Sequence, residues 1–226
     1  MASLIPIYLE IGQRRVFAGA MLWAGWCRSG RDEDLALQAL LDYGNRYKAA
    51  LGRAGRAFQP PTDVSALEVV ERLQGNATTD FGAPDKTPSA DESPLDEGEA
   101  KRQASILRAS WSAFDRTAKA SIGATLRKGP RGGGRELHAI VDHVLGAERA
   151  YLSPAGGVYR APPGADGATE MAGVRRALLK ALSARARGKP PPRTPRSGKL
   201  WAPRYVVRRS AWHALDHAWE IEDRAP

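Results

Sequence analysis

The chain opens with two apolar stretches, Leu4-Ile-Pro-Ile-Tyr-Leu-Glu-Ile11 and Val16-Phe-Ala-Gly-Ala-Met-Leu-Trp23, joined across Gly12-Gln-Arg-Arg15. Both are short and flanked by turn residues, so the pattern predicts a hairpin. Residues 25–30 read as a short strand or an irregular segment. From Asp32 to about Leu51 the period becomes helical, with Leu35, Ala39, Leu40, Tyr43 and Tyr47 as the apolar stripe. Asp32, Glu33 and Asp34 stand at the positive end of that helix's dipole. Residues 66–73 alternate weakly and read as a returning strand before Gly75-Asn76. The order predicts a small ββαβ module over residues 3–82. Pro84, Pro88 and Pro94, set among acids, make 83–97 a linker or exposed loop.

Residues 98–226 read as four helices. The first spans about 99–127, with Ile106, Ala109, Ser110, Ala113, Phe114 and Thr117 in a narrow stripe, and the glycines of 129–134 stop it. The second, 135–152, carries Leu137, Val141, Val144, Leu145, Tyr151 and Leu152 on or near its apolar side, with His143 on the flank. The third, 169–187, turns Met171, Val174, Leu178, Ala181 and Leu182 inward. The fourth, 204–224, follows Pro203, a residue suited to a helix's first turn. An antiparallel four-helix bundle is the simplest way to pack them. The fold class is therefore α+β.

The fourth helix carries the chemistry. At 100° per residue, Val206, Ser210, His213, His217, Glu220, Ile221 and Arg224 share one face. His213 and His217 stand one turn apart in its middle and can grip one metal ion from the same side. Glu220 on that face is the candidate orienter of a ligand, or a general base. A second face carries Ala211, Trp212, Leu215 and Trp219, so the helix should be buried on two sides. Either the N-terminal module or a second copy of the chain would cover it.

Charge sharpens the division. Residues 1–100 carry 10 Lys/Arg and 15 Asp/Glu, whereas residues 101–226 carry 24 and 10, a net of −5 against +14. A basic half suits nucleic acid or a small anionic ligand. Its densest run, 185–199, has six bases and no acid. It also has three consecutive prolines and no aromatic for base stacking, so it reads as a solvated loop. The lone Cys27 excludes an intrachain disulfide and favours a reducing, cytoplasmic setting. No histidine lies in its half to activate it, which makes it a small buried thiol. No apolar run reaches transmembrane length, and Glu10, Arg14 and Arg15 interrupt any signal-peptide pattern.

Gly25-Trp-Cys-Arg-Ser-Gly-Arg-Asp-Glu-Asp-Leu-Ala-Leu37 resembles the glycine–cysteine segment that opens the helix of HicB-like antitoxin modules. No ribbon-helix-helix or helix-turn-helix segment accompanies it, so the resemblance implies a binding or scaffold module.

Leu137-His-Ala-Ile-Val-Asp-His-Val-Leu-Gly-Ala-Glu-Arg-Ala-Tyr-Leu152 resembles the second helix of the DinB-like four-helix superfamily. There a metal-binding histidine, here His143, is followed five residues later by glutamate, here Glu148. The fourth helix of that superfamily brings an HxxxH pair, here His213 and His217. The likeness covers the C-terminal half. It implies a centre of His143, His213 and His217 holding a divalent metal (most often zinc, nickel or iron) with open positions. The superfamily includes thiol-dependent transferases and maleylpyruvate isomerase, which brings in a low-molecular-weight thiol as a further cofactor. Two departures bear on the substrate: the aromatic before the helix-two ligand region is absent, and Ala-Trp-Glu-Ile-Glu-Asp follows His217. His138 lies 140° around the helix from His143 and cannot share its ion. Glu148 is likewise off the His143 face and reads as an ion-pair residue.

The expectation is a metal-dependent enzyme acting on a small-molecule substrate by thiol transfer, isomerisation or hydrolysis. The alternatives are a non-enzymatic metal- or ligand-binding stress protein and, less in keeping with the residues, a nucleic-acid binder.

Overall fold

The computed structural model describes residues 4–128, 134–195 and 198–226. Four strands, β1 (Ile5–Ile11), β2 (Val16–Ala20), β3 (Cys27–Gly30) and β4 (Leu67–Gln74), form one sheet in the order β3-β2-β1-β4. β1 and β2 make the expected hairpin, closed by Gly12 N donating to Arg15 O at 2.9 Å. β4 returns parallel to β1, which requires the helical crossover between them.

That crossover is two helices rather than one. α1 (Glu33–Asp42) and α2 (Gly44–Leu51) break at Tyr43, which has φ −87° and ψ 0°. The break turns α2 toward the helical half. Of the expected stripe Leu35 is exposed and Ala39 and Tyr43 are partly buried, whereas Leu40 and Tyr47 are buried, joined by Ala36 and Leu51. These cover the sheet face of Ile7, Leu9, Ala18 and Ala20, together with Trp26 and Phe58.

Residues 83–97 are not a free linker. A short helix α3 (Ala77–Phe81) precedes them, capped by Asn76 and Thr79 in a reciprocal box. Glu10, fully buried on the second sheet face, accepts from the backbone N–H groups of Asp85 and Lys86 and from Thr79 Oγ1. Asp91 and Leu95 are also buried. Composition marked this stretch as exposed, but its prolines and acids fold onto a buried carboxylate and, at Asp91, onto a buried arginine.

The four long helices are α4 (Glu97–Ala120), α5 (Leu137–Leu152), α6 (Gly167–Ala186) and α7 (Pro203–Arg224). α4 stops seven residues earlier than its sequence pattern suggests, where Gly123 takes φ +82°. Of the glycines expected to end it, 129–133 lie outside the described residues, as do 196 and 197 of the basic run. α4 and α7 run parallel: Arg204 pairs with Glu99 at their starts, and Thr117 donates to Glu222 at their ends. α5 and α6 also run parallel, with Leu137 and Val141 beside Gly167 and Met171, and Glu148 on Arg175. The two pairs oppose each other. Neighbours are therefore not all antiparallel as expected. Short loops would force alternation, whereas connections as long as 121–136, 153–166 and 187–202 free the helices from it.

The sheet docks on α7. Phe17 meets Trp212 edge-on at 6.1 Å, Tyr43 meets Trp219 at 5.0 Å, and Arg28 pairs with Asp216 at 2.8 Å. Gly25 packs where a Cβ would come within 3.0 Å of Ala211, at φ +92°, so only glycine fits the approach. Buried Arg208 reaches from α7 to the Ala20 and Met21 carbonyls and to both oxygens of Asp91. One continuous core thus joins both halves, and the second apolar face expected on the histidine helix is the one the N-terminal module covers.

Candidate metal centre

α7 begins at Pro203 and is buried on nearly every side, which fixes the directions of His213 and His217. Both rings are buried, and their centres lie 4.6 Å apart. α5 runs antiparallel alongside and places His143 between them, 5.1 Å from His213 and 4.9 Å from His217 centre to centre. His143 is the more open of the three and forms the mouth of the cluster. Its Nε2 lies 3.2 Å from His213 Nε2, and one nitrogen from each ring falls within 4.8 Å of the others. Three bonds of ~2.0–2.1 Å at tetrahedral angles would set ligand nitrogens ~3.3 Å apart. The His143–His213 pair already has that spacing.

Glu220 supplies the orientation. Its Oε2 lies 2.7 Å from His217 Nδ1, and its Oε1 accepts from Arg224 at 2.8 Å. Engaging Nδ1 leaves His217 Nε2 to face the cluster, the arrangement typical of a metal-bound imidazole held by a carboxylate. The hydrogen bond to His217, with Arg224 beyond it, holds the Glu220 carboxyl below its usual range. With both oxygens engaged, Glu220 stands as a positioning residue and not as a free general base.

Electrostatics disfavour the charged form of two rings, His213 and His143. Burial, then the neighbouring imidazoles, pushes His213 down to about 2. Partial burial, then His217 and Arg135, lowers His143. Neutral imidazoles offer lone pairs, which is the state a cation requires. Among the described residues His213 Nδ1 is buried without a hydrogen-bond partner, so this ring is held by packing and by its Nε2 contact with His143. The donor set, its convergence and the Glu220 contact fit a divalent ion with three protein ligands, the exposed His143 side facing solvent.

The remaining candidates are placed elsewhere. His138 is exposed and lines a cavity of about 920 Å³ with Phe114, Val141 and Met171, which none of the three clustered histidines reaches. Glu148 is buried and committed to Arg175, 3.0 Å away, with burial pushing its carboxyl up to about 7 against the pull of that arginine. Cys27 is buried beneath Tyr8, and burial raises its thiol to about 12, too high for a nucleophile. Sequence reading passed over Arg209. It stands one turn before His213 on the same stripe, so the i, i+4 spacing that paired the histidines could have found it.

Comparison with protein-family models, with curated proteins and with solved structures finds no match to this chain.

Proposed function

We propose that the chain is a metal-dependent enzyme of the DinB-like type. His143, His213 and His217 would hold one divalent ion, zinc, nickel or iron, in a four-helix bundle, and the enzyme would act on a small molecule. The observation that carries this reading is the meeting of the three rings. His143 was singled out only by its place in a helix-two pattern, and it lies 3.2 Å from a histidine 70 residues away. The contact of Glu220 with His217 supports it further.

An ion bound by three neutral imidazoles keeps its full charge and an open position, and supplies Lewis-acid strength toward a thiol, a water or a carbonyl. The chain's own part is to hold and orient. α7 fixes two rings, α5 brings the third, Glu220 sets the tautomer of His217, and Arg224 steadies Glu220. The core around them keeps the ligands dry, while the half-open His143 side admits substrate. Thiol transfer, isomerisation and hydrolysis all use such a centre.

The test is turnover. Protein loaded with zinc, nickel or iron is assayed with electrophiles in the presence and absence of low-molecular-weight thiols. Activity is expected to vanish on chelation, to return with metal, and to be absent in His143→Asn. Protein that binds its ion tightly yet turns over none of these substrates would point instead to metal storage.

A further inference from the structure

The stripe that carries the histidines continues beyond them. Arg209 precedes His213 by one turn of α7, and Tyr151 follows His143 by two turns of α5. The ring centre of Tyr151 lies 6.0 Å from that of His213, and the Arg209 guanidinium lies 5.9 Å from the centre of Tyr151. Both side chains line a cavity of about 620 Å³, to which Tyr159 and Trp201 add aromatic wall. Trp201 stands 5.4 Å from Tyr151, ring centre to ring centre.

The charges in this cavity do not cancel. Arg149, Arg193 and Arg209 line it against Asp85 and Glu170, and Glu170 is already paired with Arg149. Arg209 donates to the Pro84 carbonyl and is hydrogen-bonded to Tyr151; among the described residues it has no carboxylate at ion-pair distance, and Asp85 acts on it only from farther away. Its neighbour Arg208, by contrast, grips Asp91 with two nitrogens. A half-buried cation whose one nearby acid is not in contact keeps its attraction for a further negative charge. The volume suits a small organic molecule. A guanidinium fork matches the two oxygens of a carboxylate.

We propose that this cavity binds a small aromatic carboxylate, with its acid group on Arg209 and its ring against Tyr151 and Trp201, beside the histidine cluster. As the substrate pocket of the metal centre it rests on the metal reading above; as an acid-binding site it does not.

Isothermal titration of the full chain with benzoate, 3-phenylpropionate and indole-3-acetate, each alongside its neutral amide, tests the proposal. At least one acid is expected to bind about 10- to 100-fold more tightly than its amide, the usual effect of losing hydrogen bonds to a charged group. Arg209→Met should abolish that preference while leaving metal content unchanged. His213→Asn should lose the ion and keep the preference. The proposal is overturned if no acid binds below about 10 mM or if acids and amides bind alike. Should Arg209→Met fail to fold, the comparison of acid with amide on the wild-type chain decides alone. A preference for acid in a chain that holds no ion would sink the metal reading and spare this one. An ion without the preference would do the reverse.

Discussion

Glu220 illustrates how much of the centre depends on a single side chain that need not touch an ion. It fixes His217 through Nδ1 and is itself held by Arg224. Replacing it with Gln keeps the shape but weakens the acceptor. Metal affinity of Glu220→Gln is expected to fall about 10- to 100-fold, measured by competition with a chromophoric chelator; an unchanged affinity would show that His217 needs no orienter. His213 gives a second test, in the metal-free protein. Its folded value is pushed down to about 2, while an unfolded histidine titrates near 6.5. Below ~6.5 the unfolded chain therefore takes up a proton that the folded ring refuses, so stability falls as the pH drops toward ~2, and above ~6.5 the contribution is fully present. His213→Asn removes this linkage. Its Tm should decline less than that of wild type between about pH 7 and pH 4.5, and parallel declines would contradict the assigned burial effect. His213 and His217 were legible from their spacing alone. His143 was not: it sits on the flank of its helix's apolar side, and only the family resemblance chose it over His138.

At the scale of elements, helices and strands were readable where a local period is strong. α5, α6 and α7 fall within about two residues of their sequence patterns, and the β1–β2 hairpin lies where its turn residues put it. What the pattern missed is tertiary. The break at Tyr43 lets α1 pack on β2 and β3 while α2 packs on α4. The directions of α4 to α7 follow from long connections that carry no periodicity. Residues 83–97 look solvated by composition, yet Asp91 lies buried against Arg208, with contacts of 2.7 and 2.8 Å. Such a pair adds little by forming but costs much when broken, because the remaining charge stays buried. Asp91→Ala is expected to destabilise the chain by about 3–5 kcal/mol, read by urea unfolding. A loss under about 1 kcal/mol, the range of a surface pair, would mean that the segment is not docked as described.

In the whole molecule, α7 is the shared element. One side faces α5 and the histidine cluster, and another is covered by the sheet through Trp212, Leu215 and Trp219. Burying Leu215 alone contributes about 1.5–3 kcal/mol. The charge asymmetry of the two halves suggested separate modules, but Arg208 and the aromatic contacts bind them through one core. Two of the three candidate ligands, His213 and His217, thus sit on a helix held from both sides, which suits a preorganised centre. The central claim is that this helix and α5 together hold an ion. The most direct test is elemental analysis of protein purified without a polyhistidine tag, loaded with zinc and desalted, alongside His143→Asn, His213→Asn and His217→Asn. About one ion per wild-type chain is expected, with little left in each variant and an unchanged content in His138→Asn. Wild-type protein that leaves the column without metal, or variants that keep it, would contradict the account.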